Sequence, residues 1–271
     1  MDKSIAFIGA GNMAEAMVRG LVTAGSVRPD AVAVSDASNT RLLHMKKTYD
    51  VHANADNKKA AKGRDIVVLS VKPQVMDAVL KELSAVITAK QLVVSIAAGV
   101  TVERIEDGLG KKPRVVRVMP NTPALIGQGA AAMYMGANCK PGDSETAGRL
   151  LGAVCPVVVT VGDERLMDAV TGLSGSGPAY IFVMLEAMSD AGVRMGLPRA
   201  DAFRLAAQTM LGAAGMAVAT GDPLCKLKDM VTSPGGTTIS GLASLEEAGL
   251  RNALYKAIES ATLRSRELGK S

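Results

Sequence analysis

Ser4-Ile-Ala-Phe-Ile-Gly-Ala-Gly-Asn-Met-Ala14 decides how the rest of the chain is read, because an apolar strand runs into Gly9-x-Gly11-x-x-Ala14 and straight on into a helical pattern. Each small residue has a physical reason in such a turn. Gly9 permits the tight reversal, Gly11 lets backbone approach a pyrophosphate, and Ala14 lets the helix pack on the strand with its N-terminal amides facing the phosphates. A bare strand-to-helix turn without a ligand has the same local shape, so the flanks matter. Ile5, Phe7 and Ile8 read as buried strand, and Ala16, Met17, Gly20 and Leu21 recur at helical spacing.

Outward from this turn, strand-like segments at 5–8, 31–35, near Val51, 65–71, 91–96, 114–119, 130–133 and 157–161 alternate with helical ones. The helical segments run to about Ala24 and then over 40–49, 57–62, 75–86, 101–109 and 144–151. Strands separated by helices of this length predict a Rossmann-type α/β domain, a doubly wound, mostly parallel sheet that takes ligands at the carboxyl ends of its strands. After Val161-Gly162-Asp163 the strand signal stops. Segments 163–173, 178–192, 199–220, 224–231, 238–247 and 250–268 carry helical periodicity, with Gly and Pro at their ends. Two domains are expected: a dinucleotide-binding domain over 1–162 and an all-α domain over 163–271. The helices of the second are rich in Ala, Gly and Met on more than one face, as in 205–216. A helix apolar nearly all round must be buried, and so short a domain has little interior. An interlocked dimer solves this; a self-contained bundle packed tightly on small residues is the alternative.

The 31 basic and 26 acidic residues of the 271 are scattered, and aromatics make up 3% with no Trp, so a nucleic-acid surface is not expected. The net charge of +5 suits an anionic cofactor and a small carboxylate substrate. Cys139, Cys155 and Cys225 are odd in number and isolated, which fits buried thiols in a reducing compartment better than a disulfide framework or a zinc site. Only His44 and His52 are present, on an expected surface helix and the strand after it, so neither a metal centre nor an imidazole catalyst is expected. No signal peptide precedes the first strand, and the most apolar stretch, 180–185, ends at Glu186, far short of a membrane span. A soluble, cytoplasmic protein is the expectation.

Four loops at strand ends are candidates for chemistry. Ser70-Val-Lys-Pro73 places amides and Lys72 near cofactor phosphates or ribose, Ser95-Ile-Ala-Ala-Gly99 is small enough to lie against a flat ring, and Met119-Pro-Asn-Thr-Pro123 ends the next strand. Each reads equally as ordinary loop punctuation. Ser35-Asp-Ala-Ser-Asn39 ends the second strand, where the adenosine ribose belongs. Asp36 there favours NADH through a free 2′-hydroxyl, whereas Ser35, Ser38, Asn39 and nearby Arg41 suit a 2′-phosphate. The donors outnumber the acid, so NADPH is expected, with NADH open. In the second domain Leu173-Ser-Gly-Ser-Gly-Pro-Ala-Tyr180 and Thr232-Ser-Pro-Gly-Gly-Thr-Thr-Ile239 set glycines beside hydroxyls at helix starts. That is a nest of amides suited to a carboxylate, or capping alone by Ser233 or Thr237.

Gly-Leu-Ser-Gly-Ser-Gly-Pro-Ala-Tyr at 172–180 and Lys-Asp-Met-Val-Thr-Ser-Pro-Gly-Gly-Thr-Thr-Ile at 228–239 resemble the pyrroline-5-carboxylate reductases, the enzymes that make proline. Gly-Ala-Gly-Asn-Met at 9–13, Val-Lys-Pro at 71–73, Ala-Ala-Gly-Val at 97–100, Pro-Asn-Thr-Pro at 120–123 and Met-Gly-Leu-Pro at 195–198 stand in the family's order. The resemblance therefore covers nearly the whole chain; it is weakest in the second-strand loop and over 221–226. It implies reduction of 1-pyrroline-5-carboxylate to L-proline by hydride transfer from NAD(P)H, the last step of proline biosynthesis. The implied cofactor site is Gly9, Gly11, Asn12, Met13, Ser35, Asp36, Ser38, Asn57, Lys72, Pro73, Ala97 and Ala98. By the same resemblance Ser233, Gly236 and Thr237 hold the ring carboxylate, Thr238 bonds the ring nitrogen and Glu164 lines the site. It implies a homodimer in which two subunits form each active site, with assembly into a larger ring left open.

A cyclic imine takes a proton readily from water, so such a reductase needs aim and dryness more than a strong acid. A Thr hydroxyl is a poor acid, which assigns Thr238 to orientation and proton relay. The rival reading, a β-hydroxyacid dehydrogenase, resembles this architecture but depends on a catalytic Lys early in its second domain. This chain has no Lys between Lys140 and Lys226. A nucleotide sensor without turnover would need no second pocket, and the Ser-Pro-Gly-Gly-Thr-Thr loop counts against it.

Overall fold

Strands β1 (Ile5–Ile8), β2 (Val32–Ser35), β3 (His52–Asn54), β4 (Ile66–Leu69), β5 (Leu92–Ser95), β6 (Arg114–Pro120), β7 (Ala130–Met135) and β8 (Val157–Val161) form one sheet in the order β3-β2-β1-β4-β5-β6-β7-β8. This is a computed structural model that describes residues 2–110 and 113–269. Every residue of β1, β2, β4 and β5 is buried, which is why those strands read as apolar runs without a period of two. β1 lies at the centre with β2 on one side and β4 on the other, both parallel to it. The strand order reverses there, and the loops leaving the carboxyl ends of β1, β2 and β4 meet at that switch point.

Helices α1 (Asn12–Thr23), α2 (Asn39–Tyr49), α3 (Asn57–Ala61), α4 (Met76–Leu83), α5 (Val102–Leu109) and α6 (Asp143–Gly152) complete the nucleotide half. They cover both faces. Phe7, Met17, Leu21, Met45 and Leu150 belong to one apolar cluster, and Ile8, Leu69, Leu80, Leu83 and Ile105 to the other. At about 1.5–3 kcal/mol for each fully buried large side chain, these two layers carry most of the favourable free energy of this half.

One strand departs from the parallel set. β7 runs antiparallel to β6, because the 121–129 connection holds only a short 3-10 turn, Thr122–Ile126, and a parallel neighbour needs a longer crossover. β8 pairs parallel to β7 at the sheet edge.

Beyond the sheet the chain is helical: α7 (Leu166–Val170), a π turn (Thr171–Gly175), α8 (Gly177–Arg194), α9 (Arg199–Thr220), α10 (Leu224–Met230), α11 (Thr237–Glu247) and α12 (Leu250–Leu268). The continuous helix expected over 163–173 is broken. Thr171 Oγ1 donates to the Met167 carbonyl at 2.8 Å, Ser174 Oγ to the Val170 carbonyl at 3.0 Å, and Ser176 N to the Thr171 carbonyl at 2.8 Å, which opens the ladder into a π turn.

Packing divides the chain into Met1–Ser176 with Ser260–Ser271, and Gly177–Glu259. The sequence reading cuts at 162/163, where the strands end. The compact sheet unit runs further because α7 packs on β7 and the π turn on β6, and it takes back the end of α12 through Ser265, whose hydroxyl donates to Asp168 at 2.7 Å. Within the helical unit α8 and α9 pack on small residues: Ser189, Ala202 and Ala206 are buried. Among the described residues no helix is long and apolar enough to cross a membrane.

Candidate active site

At the carboxyl end of β1 the backbone turns at Gly9 with φ +100°, and its amide donates to the Ser35 carbonyl at 2.8 Å. A Cβ on Gly9 would lie 2.8 Å from the Ser70 carbonyl oxygen, so β4 passes too close for any side chain. Gly11 is different. A Cβ there would meet nothing within 4 Å, so nothing in the chain itself demands the glycine. Gly11 is the N-cap of α1 and no side chain caps that helix, which leaves its first amides beside a bare, exposed backbone. This is the geometry a pyrophosphate requires, and the residues present fit a dinucleotide. Asn12 is exposed and Met13 half-buried at the same helix start.

The second-strand loop sits against this turn. Asp36 Oδ2 accepts from Ala10 N and Oδ1 from Ser38 N, both at 2.8 Å. Ser38 is exposed and caps α2, its hydroxyl accepting from Arg41 N at 3.4 Å. Ser35 does not face the loop surface as expected: it is fully buried, its hydroxyl finds no partner, and its carbonyl serves Gly9. The reason is register, since Ser35 is the last paired residue of β2, opposite Ile8 and Asn54. Arg41 is partly committed as well. Its Nε donates to the Ala10 carbonyl at 2.8 Å and its Nη2 to Glu15 Oε2 at 2.7 Å.

Glu15 also accepts from Tyr49 OH at 3.1 Å and lies 2.6 Å from His44 Nε2. Burial alone would raise its carboxyl, but the hydrogen bonds of His44, Arg41 and Tyr49 hold it down to about 2. Neither this cluster nor the double use of Ala10 is legible from spacing, because Glu15 and its partners lie 26 to 34 residues apart. His44 thus tethers α2 to α1, and His52 lies exposed on β3.

The positions that follow β4, β5 and β6 lie on the other side of β1. Lys72 is exposed and Pro73, half-buried, opens a 3-10 turn after β4. Ala97 is buried and Ala98 exposed after β5. Asn57, at the start of α3, donates from Nδ2 to Glu82 at 2.8 Å. Asn121, in the Pro-Asn-Thr-Pro loop, accepts from Ala130 N at 2.9 Å and so anchors the start of β7. A cavity of about 460 Å³ is lined by Pro73, Gln74, Ala98, Gly99, Val100, Thr171 and Ser176, with the end of α12 closing it. That volume lies within the range of small-molecule sites. Arg104 on its wall is tied by two bonds of 2.9 Å to Asp77.

Glu164 lies on this sheet unit as well, but its Oε1 is engaged: it accepts from Val102 N at 2.8 Å and from Arg117 Nη1 at 2.9 Å. It holds the first turn of α5, just beyond the Ala97–Ala98 loop. Arg117 is almost wholly buried at 6% exposure, so its pairing with Glu164 offsets the cost of a charge inside the protein.

In the helical unit the second candidate loop ends in α11, whose N-cap is Gly236 and which also starts without a side-chain cap. Gly235 takes φ +65°, and a Cβ on Gly236 would fall 2.3 Å from Ser233 Oγ. The turn therefore folds the Ser233 hydroxyl back against Gly236 at the helix start. Among the described residues no side-chain bond caps α11, so capping by Ser233 or Thr237, the plain alternative, is not what the loop does. Thr238, one residue further, is half-buried.

Burial pushes Cys139 and Cys155 up to about 11, while Cys225, expected to be buried, is exposed on α10.

Comparison with known proteins places this geometry in a family. Residues 164–268 match the pyrroline-5-carboxylate reductase dimerisation model, and residues 4–99 match a model described as NADP oxidoreductase, coenzyme F420-dependent. The pyrroline-5-carboxylate reductase of Methanosarcina acetivorans is 47% identical over 269 residues, 99% of each chain. Among solved structures, a pyrroline-5-carboxylate reductase from Coxiella burnetii superposes with a TM-score of 0.95 at 39% identity over 100% of both chains. The Plasmodium falciparum pyrroline carboxylate reductase, determined with NADP bound, has a TM-score of 0.88 at 30% identity, covering 99% of this chain and 98% of that one.

Proposed function

We propose that this chain, which belongs to the pyrroline-5-carboxylate reductase family and reduces 1-pyrroline-5-carboxylate to L-proline with a nicotinamide cofactor, takes NADPH on the Gly9 turn and the substrate on the Ser233 loop. The observation that carries the cofactor seat is the pair of glycines: Gly9 is demanded by Ser70, whereas Gly11 is demanded by nothing in the chain and leaves the uncapped start of α1 bare. Gly11, Asn12 and Met13 offer amides to the pyrophosphate. Lys72 and Pro73 flank the ribose, with Asn57 on the neighbouring helix, and Ala97 and Ala98 give the flat ring a small, smooth wall.

NADPH rather than NADH rests on Ser38 and the amides at the start of α2, since both oxygens of Asp36 already accept a backbone amide. The NADP named for the family model over 4–99 and for the Plasmodium structure agrees with that reading. When bound, the cofactor supplies the hydride.

On the substrate side, Ser233 Oγ and the amides of Gly236 and Thr237 hold the ring carboxylate at the positive end of α11. Thr238 then reaches the ring nitrogen, aims the C=N bond and passes it a proton originating in water. Glu164 contributes by fixing α5 and the Ala98 loop rather than by touching substrate. No stronger acid is needed, because the imine is basic enough to arrive nearly protonated, and the residues' main task is to position and to exclude water.

The working form is a soluble, cytoplasmic homodimer in which the Ser233 loop of one subunit serves the cofactor of its partner. The dimerisation match over 164–268 and the open apolar faces of α8 and α9 support that assembly. Mixing pure protein with NADPH and 1-pyrroline-5-carboxylate and following the nicotinamide absorbance tests the reading. Turnover faster with NADPH than with NADH is expected. A dehydrogenase active only on hydroxy acids, or a protein that binds NADPH without oxidising it, would refute it.

A further inference from the structure

All four backbone polar groups of Gly9 and Ala10, the turn ahead of α1, are engaged by other parts of the sheet unit. Gly9 N donates to the Ser35 carbonyl at 2.8 Å, the Gly9 carbonyl accepts from Ser70 Oγ at 2.7 Å, and Ala10 N donates to Asp36 at 2.8 Å. The Ala10 carbonyl accepts from Arg41 Nε, also at 2.8 Å. Ala10 itself is fully buried. Two of these partners, Asp36 and Arg41, belong to the segment that a 2′-position reader would occupy.

We propose that Arg41 and Asp36 brace the Ala10 peptide from its two sides, so that Arg41 positions the phosphate-binding turn and does not read the 2′ position of the cofactor. Three observations support this. The Arg41 guanidinium is tethered at two of its three nitrogens, Nε on Ala10 and Nη2 on Glu15, which fixes its position against the turn, and its side chain is 30% exposed. Its charge is matched at 2.7 Å by Glu15, so the pair presents little net field to a phosphate across the loop. Asp36 is committed in the same way, to Ala10 N and to Ser38 N, so one carboxylate ties the ribose loop to the pyrophosphate turn.

The mechanical consequence is specific. The amides of Gly11, Asn12 and Met13 follow directly on the braced peptide, and their aim is set by how Ala10 is held. Loosening the brace tilts them for every dinucleotide alike. The 2′-phosphate is then left to Ser38 and the start of α2.

This inference rests on the reading that the dinucleotide sits on the Gly9–Gly11 turn, and the test separates the two. NADPH and NADH affinities are measured by nicotinamide fluorescence, with steady-state kinetics, for the unmodified full-length enzyme and for Arg41→Met, Arg41→Lys and Gly11→Val. Both Arg41 variants are expected to weaken NADPH and NADH by the same factor, about tenfold for a lost charge-assisted hydrogen bond that acts through the turn. The change should fall in KM for the cofactor more than in kcat, with the NADPH to NADH ratio held. Lysine rescues nothing, because it cannot make both bonds of the fork.

A loss confined to NADPH in Arg41→Met, restored by Arg41→Lys, would make Arg41 a charge reader and overturn the proposal. Unchanged affinities with a lowered melting temperature would reduce it to a structural contact and overturn it equally. Should Arg41→Met fail to fold, Glu15→Gln, which keeps acceptors for Tyr49 and His44 but frees Arg41 Nη2, must weaken both cofactors equally by a smaller factor. Gly11→Val binding NADPH normally would instead sink the seat itself.

Discussion

In the sheet unit Phe7, Met17, Leu21, Met45, Leu69, Leu83 and Ile105 are fully buried, whereas in the helical unit only Ser189, Ala202 and Ala206 are buried and Phe182, Val183, Phe203, Leu205, Leu211 and Val218 stand open. The sheet is covered on both faces by its own helices, so its apolar side chains find partners within the chain. Helices that are apolar on several faces have no such cover, and exposed apolar surface on this scale marks an association site. The contrast teaches that one half of this protein buries its large apolar side chains within its own chain while the other leaves them open, as the proposed dimer requires. The two candidate loops lie one in each half, so the proposed two-subunit site predicts that assembly and activity fail together.

The sharpest way to break the comparison is to charge the open face. Phe203, Leu211 and Val218 recur along α9 at spacings of eight and seven, which places them within one broad stripe. Leu211→Glu with Val218→Glu should give a monomer by sedimentation and lower the reductase rate by about 100-fold or more, since an unpaired charge in an interface costs several kcal/mol. The sheet unit should keep its fold and its NADPH binding. A dimer of full activity would show that α9 faces solvent by design.

Thr238→Ala tests the chemical half of the comparison. A hydrogen bond to a charged or developing amine contributes about 1.5–3 kcal/mol, so kcat/KM should fall roughly 10- to 150-fold if the hydroxyl orients and relays. Thr238→Ser should recover most of it, with NADPH affinity little changed. An unaltered rate removes Thr238 from the site, and a loss beyond about 10³-fold makes it an obligatory proton donor.

Acid sharpens the self-sufficiency of the sheet unit. Glu15 is held at about 2, below its ordinary 4.5, so its contribution is fully present above pH 4.5 and is lost as pH falls toward 2. That contribution is on the order of 3 kcal/mol, and acid titrations of folding for the unmodified protein and Glu15→Gln should converge across that window. Parallel curves from pH 5 to 2 would show that the cluster does not stabilise the fold.

The smallest expected effect concerns the two serines of the second-strand loop. Ser38→Ala should raise KM for NADPH a few-fold more than KM for NADH, as for one lost neutral hydrogen bond. Ser35→Ala should leave that ratio alone and cost no stability, because its hydroxyl is buried without a partner. A ratio moved by Ser35 and not by Ser38 would reverse the two assignments.

The gap between reading and structure is narrow in the elements and wide in the side chains. The strand segments 31–35 and 91–96 coincide with β2 and β5 within a residue, since buried parallel strands announce themselves as short apolar runs bounded by turns, and 157–161 coincides with the edge strand β8 through its run of β-branched residues. The π turn over Thr171–Gly175 could not be read, because the hydroxyl-to-carbonyl bonds that open it compete with a helix of the same composition. The second-strand loop reads as a candidate cofactor loop from its position in the sequence, but its wiring does not. Ser35, Asp36 and Arg41 all looked available, and only register and distant partners show one buried and two committed. Glu164 likewise carries no sign of Arg117, 47 residues away.

By itself the sequence determined the alternation of strands and helices, the Gly9 turn, the change to helices after Val161 and the two glycine-started helices. Each of these depends on local period, local conformational freedom or residue size. The tertiary structure alone decided which donors and acceptors remain free: that Asp36 and Arg41 close on Ala10, that Glu15 gathers three partners, and that α8 and α9 leave their apolar faces open. Hydrogen-bond commitment and burial are sums over residues far apart in the chain, and folding must bring those residues together before either quantity exists.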